Sequence, residues 1–313
     1  MQRQQIGKAL ILCPLLCAVE SFHAPGAIVA RRGGQRSQCA SITSRTYAIA
    51  TLVAVLLGMV TGCVGSPSRV PEVVREAHFQ ADVVQGAPFR HRVFRREGRA
   101  DLSGTLHIYI EGDGRPFLAH TLVTADPTPR DPLMLHLMAL DPAPSAYIGR
   151  PCYFGFAHDP NCNSTYWTAK RFAPEVTESI GSVLRSEVAR AHASRIEIYG
   201  HSGGGTLAVL LATRITGVTR VIAIAPTLDI AAWCALHGYT PLLGSLNPAE
   251  LDLQSLPIVY LVGSADTNTP PDFVQAAAAR TGTRDFVRVI PGYTHTCCWQ
   301  QLWQGVLNEP ARH

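Results

Sequence analysis

The segment IYGHSGGGTLAVLLA contains the side chain best placed to do chemistry, Ser202 in Gly200-His201-Ser202-Gly203-Gly204. A serine hydroxyl is a weak nucleophile unless a base takes its proton and an acid orients that base. The G-x-S-x-G spacing suits a sharp turn that lifts the hydroxyl above its surroundings. Side chains two residues to either side would collide there, so both flanks want glycine. A helix beginning just after the serine presents free N–H groups and the positive end of its dipole, which favour a developing oxyanion.

Three histidines follow Ser202: His237, His295 and the C-terminal His313. His295 stands in Pro291-Gly292-Tyr293-Thr294-His295, a loop just beyond an apolar run, and is the expected base. His237 falls in an expected surface excursion and His313 at the chain end. The expected orienting acid is Asp266, in Gly263-Ser264-Ala265-Asp266 and a loop closed by Pro270 and Pro271. Asp229 is the competing acid. A turn or N-cap role is the plain alternative for either aspartate.

These loops need a scaffold, and the apolar pattern supplies one. Strands are expected at 106–110, 195–199, 221–225, 258–262 and 286–290. Helices are expected at 132–140, 173–191, 204–213, 272–280 and 299–307. Val176, Ile180, Leu184 and Val188 recur at helical spacing. Strands alternating with helices predict an α/β fold with a mostly parallel central sheet flanked by helices. The stretch 227–254, with Trp233, His237 and Tyr239, has the make-up of a small cap segment.

The order Ser202, Asp266, His295, each just past a strand, resembles the α/β-hydrolase superfamily from about residue 103 to 307. The chain also resembles a group of bacterial lipoprotein-type α/β-hydrolases in Tyr109–Gly114 (YIEGDG), Gly149–Cys152 (GRPC) and the His295–Trp299 ending. The resemblance implies serine-dependent hydrolysis of a small ester or acyl substrate through an acyl-enzyme. An oxyanion hole needs two backbone N–H donors. Gly203 is expected to give one, and Asp113 or Gly112 the other. Hydrolases often carry His-Gly in that loop, whereas here it reads Glu111-Gly112-Asp113-Gly114. Two carboxylates there oppose an oxyanion unless they point away or are paired, with Arg115 or Arg150 as expected partners. Contact with a cationic part of the substrate is the other expectation for them.

The chain of 313 residues is 47% hydrophobic and 16% charged, a globular composition. Its formal charge of +4 comes from the first 62 residues, because 63–313 hold 21 basic and 22 acidic groups. No basic run appears there, which argues against nucleic-acid binding. Residues 47–60 (YAIATLVAVLLGMV) follow Arg45 and precede Val60-Thr61-Gly62-Cys63. A positive flank, a short apolar run and small residues describe a secretory signal. The ending resembles a lipoprotein lipobox, which implies cleavage before Cys63, lipidation of Cys63 and attachment at the periplasmic face of a bacterial cell envelope. An ordinary signal peptide or an uncleaved anchor is the alternative. A translation start near Val29 would account for the poor fit of the first 28 residues. The expected organisation is a leader at 1–62, a tether and lead-in at 63–95, and a hydrolase domain at 96–313, acting as a monomer.

Export permits disulfides. Cys152 and Cys162 are expected to close a local loop, and Cys297 or Cys298 to pair with Cys234. No C-x-x-C, H-x-x-x-H or H-E-x-x-H spacing appears in the mature chain, so no metal is expected, and no cofactor motif is present. Two readings compete with an esterase. One is a membrane-tethered, non-catalytic binding protein on the same fold, and the other is a serine peptidase or amidase.

Overall fold

The computed structural model describes residues 68–98, 104–119 and 121–309. The leader, Cys63 and His313 lie outside the described residues. Eight strands form one sheet in the order β1-β2-β6-β3-β7-β8-β9-β10. These are β1 (Gln80–Gln85), β2 (Arg90–Arg96), β3 (Thr105–Ile110), β6 (Ser145–Ile148), β7 (Arg195–His201), β8 (Val218–Ile224), β9 (Ile258–Gly263) and β10 (Val287–Ile290). From β6 to β10 all neighbours run parallel, while β1–β2 and β2–β6 are antiparallel. A separate small hairpin joins β4 (Phe117–Leu118) to β5 (Leu122–Val123).

Side chains alternate faces along each strand, and this sorts the core into two layers. Ile108, Ile198, Ala223 and Tyr260 face one layer, with α3 (Pro174–Arg190), α4 (Gly203–Ala212), α5 (Ile230–His237) and α6 (Pro271–Arg280). Tyr109, Tyr199, Ile222 and Leu261 face the other, with α1 (Val70–Glu76), α2 (Leu133–Ala139) and α7 (Trp299–Asn308). Pro174 opens α3, where its missing N–H costs nothing. Helix α4 is buried at every position, so its sequence is glycine, alanine and aliphatic residues without a polar face, and its one hydroxyl, Thr206, donates to the Thr227 carbonyl at 3.0 Å.

Each strand and helix expected from the apolar pattern is present within a few residues of its expected bounds. The difference lies at the front of the chain. Residues 70–95, expected as part of the lead-in at 63–95, form α1 and nearly all of two strands of the same sheet, so the folded unit begins well before 96. Edge strand β1 is almost wholly exposed and β2 reads RHRVFRR, so neither carries a clean apolar signature. Within the expected cap segment, 230–237 is the helix α5 and Pro248–Glu250 a single 3₁₀ turn.

Candidate active site

The C-terminal ends of β3, β7, β9 and β10 bring the candidate residues together, the edge where open parallel sheets place their sites. Ser202 follows β7 directly, at φ 53° and ψ −122°. That positive φ in a non-glycine residue is strained and is held by its surroundings. A Cβ on Gly200 would run into the Gly204 backbone, and one on Gly204 into the Ile110 and Glu111 carbonyls. The flanking glycines are therefore required by the close crossing of β3 and the turn.

Ser202 Oγ lies 3.0 Å from His295 Nε2. His295 Nδ1 lies 2.9 Å from Asp266 Oδ2. Asp266 is buried, and its other contacts hold it in place. Oδ1 accepts the Asn268 and Thr269 N–H groups at 2.8 and 2.9 Å, and Oδ2 accepts the Thr269 hydroxyl at 3.0 Å. Burial pushes the carboxyl up, but the imidazole bond, the imidazole charge and the two N–H groups outweigh it. The net pKa lies below the ordinary value, so Asp266 is a carboxylate. Asp229, the competing acid, caps α5 by accepting the Ala232 N–H and pairs with Arg280.

The acid loop and the histidine loop are tied to each other. Ala265 N–H donates to the Tyr293 carbonyl at 2.9 Å, and Gly292 N–H to Ser264 Oγ at 2.8 Å. The His295 carbonyl accepts two ring donors, His201 Nε2–H at 2.8 Å and Trp299 Nε1–H at 3.1 Å. His201 is buried, and burial followed by the nearby His295 lowers its pKa to about 3, so it remains neutral.

The loop 111–114 faces Ser202, with the Gly112 Cα near the His201 and Ser202 side chains. Gly112 N–H donates to Glu111 Oε1 at 3.2 Å. The Asp113 and Gly203 N–H groups have no partner among the described residues. The two carboxylates are managed differently. Glu111 is buried beneath the loop and also accepts the Met134 N–H at 2.9 Å. Burial raises its pKa to about 7 despite those donors. Asp113 packs against Gly203 and is held by two guanidiniums, Arg150 Nη1 at Oδ1 and Arg171 Nη1 at Oδ2, the latter at 2.6 Å. Burial opposes ionisation of Asp113, but Arg171 and Arg150 bring its pKa down to about 2. The Asp113 carbonyl accepts the Tyr153 hydroxyl at 2.8 Å, so its peptide is fixed as well. Arg150 was one of the two expected partners. Arg171 takes the place of Arg115.

Cys152 and Cys162 form a disulfide with Cα atoms 5.5 Å apart. The expected pairing of Cys234 with Cys297 or Cys298 is not formed. Cys234 is free and lies on the buried face of α5, in the core layer of α3 to α6. Cys297 and Cys298 are joined to each other, on the partly exposed turn before α7. Among the described residues no cluster of three or more His, Cys, Asp or Glu side chains is arranged to hold a metal ion.

Four contributors went unseen in the sequence: His201, Asn268, Thr269 and Arg171. Asn268 Nδ2 lies 3.1 Å from His295 Nε2. The polar run Asp266-Thr267-Asn268-Thr269 after a strand is the signal that could have pointed to two of them.

No family model and no curated protein matches the chain. Solved structures do match. The esterase Pf2001 of Pyrococcus furiosus is 12% identical with a TM-score of 0.53, over 78% of this chain and 94% of that one. An alpha-beta serine hydrolase homologue from Coxiella burnetii is 14% identical with a TM-score of 0.49, over 72% and 93%. A puromycin-hydrolyzing peptidase of Mycobacterium tuberculosis is 15% identical with a TM-score of 0.49, over 69% of this chain and 36% of that one. Of these three the first exceeds a TM-score of 0.5, and at 12% identity it speaks to the fold. With its mostly parallel eight-stranded sheet, its helices on both faces and its strand–turn–helix at Ser202, the chain has the α/β-hydrolase fold.

Proposed function

We propose that the protein is a serine hydrolase that cleaves carboxylic esters through a covalent acyl-enzyme. The observation that carries the reading is one unbroken line of hydrogen bonds, Ser202 Oγ to His295 Nε2 at 3.0 Å and Nδ1 to Asp266 Oδ2 at 2.9 Å. Ser202 Oγ attacks the acyl carbon while His295 takes its proton. The tetrahedral oxygen is received by the Gly203 and Asp113 N–H groups, both without a partner among the described residues. Gly112 is a weaker candidate, because Glu111 already accepts its N–H. His295 then protonates the leaving oxygen, and water repeats the sequence on the acyl-enzyme. The intact acid–base line weighs against a non-catalytic binding protein, since a lost activity would leave no reason to keep a strained Ser202.

The test is labelling with a fluorophosphonate, wild type against Ser202→Ala. The wild type is expected to label and the variant to stay dark. Absence of labelling in folded wild type would refute the reading. A panel of acyl esters and matched peptide amides separates an esterase from a peptidase, and faster ester cleavage is expected. Export and attachment through lipidated Cys63 rest on the leader at 1–62. Mass spectrometry of the mature protein should find Cys63 lipidated at its N-terminus, and a native peptide from residues 1–28 would exclude the downstream start.

A further inference from the structure

We infer that Asn268 is a further catalytic residue, whose side-chain amide donates a hydrogen bond to the leaving-group oxygen. The inference rests on the esterase reading above. In the resting site His295 Nε2 has two neighbours, Ser202 Oγ at 3.0 Å and Asn268 Nδ2 at 3.1 Å. A neutral imidazole whose Nδ1–H is directed at Asp266 offers one lone pair at Nε2, and both donors converge on it. Once Nε2 has taken the serine proton, that lone pair is gone and the amide N–H loses its acceptor. The atom that must next come within hydrogen-bond reach of Nε2–H is the leaving oxygen, since it receives this proton. Asn268 Nδ2 already borders that position.

The step balances without any added reactant. The bond between the acyl carbon and the leaving oxygen breaks, and its electron pair goes to that oxygen. Nε2–H delivers the proton to the same oxygen, while Nδ2–H donates to one of its lone pairs and spreads the developing charge. In deacylation the entering water occupies the same place. Its proton goes to Nε2, and its oxygen accepts from Nδ2–H.

Asn268 is also built to hold its position. Its N–H donates to Asp266 Oδ1 at 2.8 Å, and its carbonyl accepts Trp233 Nε1–H at 3.0 Å and His237 Nε2–H at 2.8 Å. Helix α5 therefore fixes the backbone from one side and the catalytic acid from the other, leaving the amide aimed at Nε2. A residue needed only to shape the acid loop would not require its side chain there.

The test compares two esters of one acyl group, the p-nitrophenyl ester and the ethyl ester, in wild type, Asn268→Ala and Asn268→Asp. A nitrophenolate leaves without help, whereas an ethoxide needs both the proton and the hydrogen bond. The ratio of kcat/KM for the p-nitrophenyl ester to that for the ethyl ester should rise about 10- to 100-fold in Asn268→Ala, the worth of one hydrogen bond to a developing charge. Asn268→Asp keeps the size, removes the donors and should raise the ratio at least as far, which covers a failure of the alanine variant to fold. A ratio within threefold of wild type in either folded variant would overturn the inference, because a structural role slows both esters alike. If wild type neither labels with fluorophosphonate nor cleaves either ester, the esterase reading itself has failed.

Discussion

Replacing Arg171 by Met should slow acylation steeply, and replacing Asp113 by Asn in the same chain should restore most of the loss. The Asp113 carboxylate packs against Gly203, one of the two proposed oxyanion donors. Arg150 and Arg171 each contribute a guanidinium to it, and both are almost fully buried. With both in place the group of three carries a net positive charge. Removing Arg171 takes one positive charge from this group, which packs against Gly203, and leaves it neutral. At an effective dielectric constant of about 20, one charge at a separation on the order of 5 Å is worth about 3 kcal/mol. Partial screening brings this to about 2–3 kcal/mol, or roughly 30- to 150-fold in rate. The assay is the second-order rate of fluorophosphonate labelling at Ser202, together with kcat/KM for an ester, on Arg171→Met, Asp113→Asn and the double variant. Thermal melts must accompany it, because breaking a buried pair can cost about 3–5 kcal/mol of stability. Asp113→Asn alone introduces no opposing charge and should cost less than about tenfold. A double variant as slow as the product of the two singles would refute the charge argument and leave Arg171 a packing role.

Four further outcomes are expected. Gly204→Ala should abolish labelling and lower the melting temperature, since the new Cβ would strike the Ile110 and Glu111 carbonyls. Glu111, raised by burial to about 7, holds its proton more tightly folded than unfolded. Its contribution to stability is therefore complete below about pH 4.5 and lost as pH rises through 7, about 3 kcal/mol in all. Urea midpoints between pH 4 and 8 should show this slope in wild type and a flatter one in Glu111→Gln. Removing the Cys152–Cys162 disulfide, whose cysteines are 10 positions apart, should cost about 2–3 kcal/mol, measured by urea unfolding of Cys152→Ser/Cys162→Ser. His201→Phe removes one of two donors to the His295 carbonyl and should lower kcat/KM about fivefold. With its pKa near 3, His201 should add no inflection to the pH–rate profile above pH 4.

What the sequence made legible follows from which constraints are local. The turn at Ser202 declares itself because Gly200 and Gly204 are needed within four residues, between a strand and a helix that each have their own periodicity. Asp266 and His295 were legible one step further on. In a parallel sheet every strand delivers its C-terminal loop to the same edge, so three residues just beyond strands converge without any knowledge of strand order. The antiparallel extension of β1 and β2 was not legible, because an exposed edge strand carries no alternating apolar code. Nor was the partner of Cys297. Sequence counts cysteines, but pairing needs Cα atoms within about 7 Å, and Cys234 belongs to the core layer on the α5 side of the sheet.

The acidic loop shows how far such reading reaches. Sequence alone states the conflict, since Glu111 and Asp113 stand in the loop proposed to receive negative charge. It cannot say how the conflict is relieved, because the relief is long-range. Glu111 is quieted by burial and by a backbone N–H 23 residues away, at Met134. Asp113 is quieted by guanidiniums 37 and 58 residues away. The two solutions differ in consequence. A carboxyl relieved by burial is controlled by pH, and its state changes near neutrality. A carboxylate relieved by ion pairing stays charged at every working pH and depends on its partners remaining in place. Asp113 and Arg171 therefore form a unit, and a chain that keeps the aspartate but lacks the arginine is worse placed to receive an oxyanion than one that lacks both.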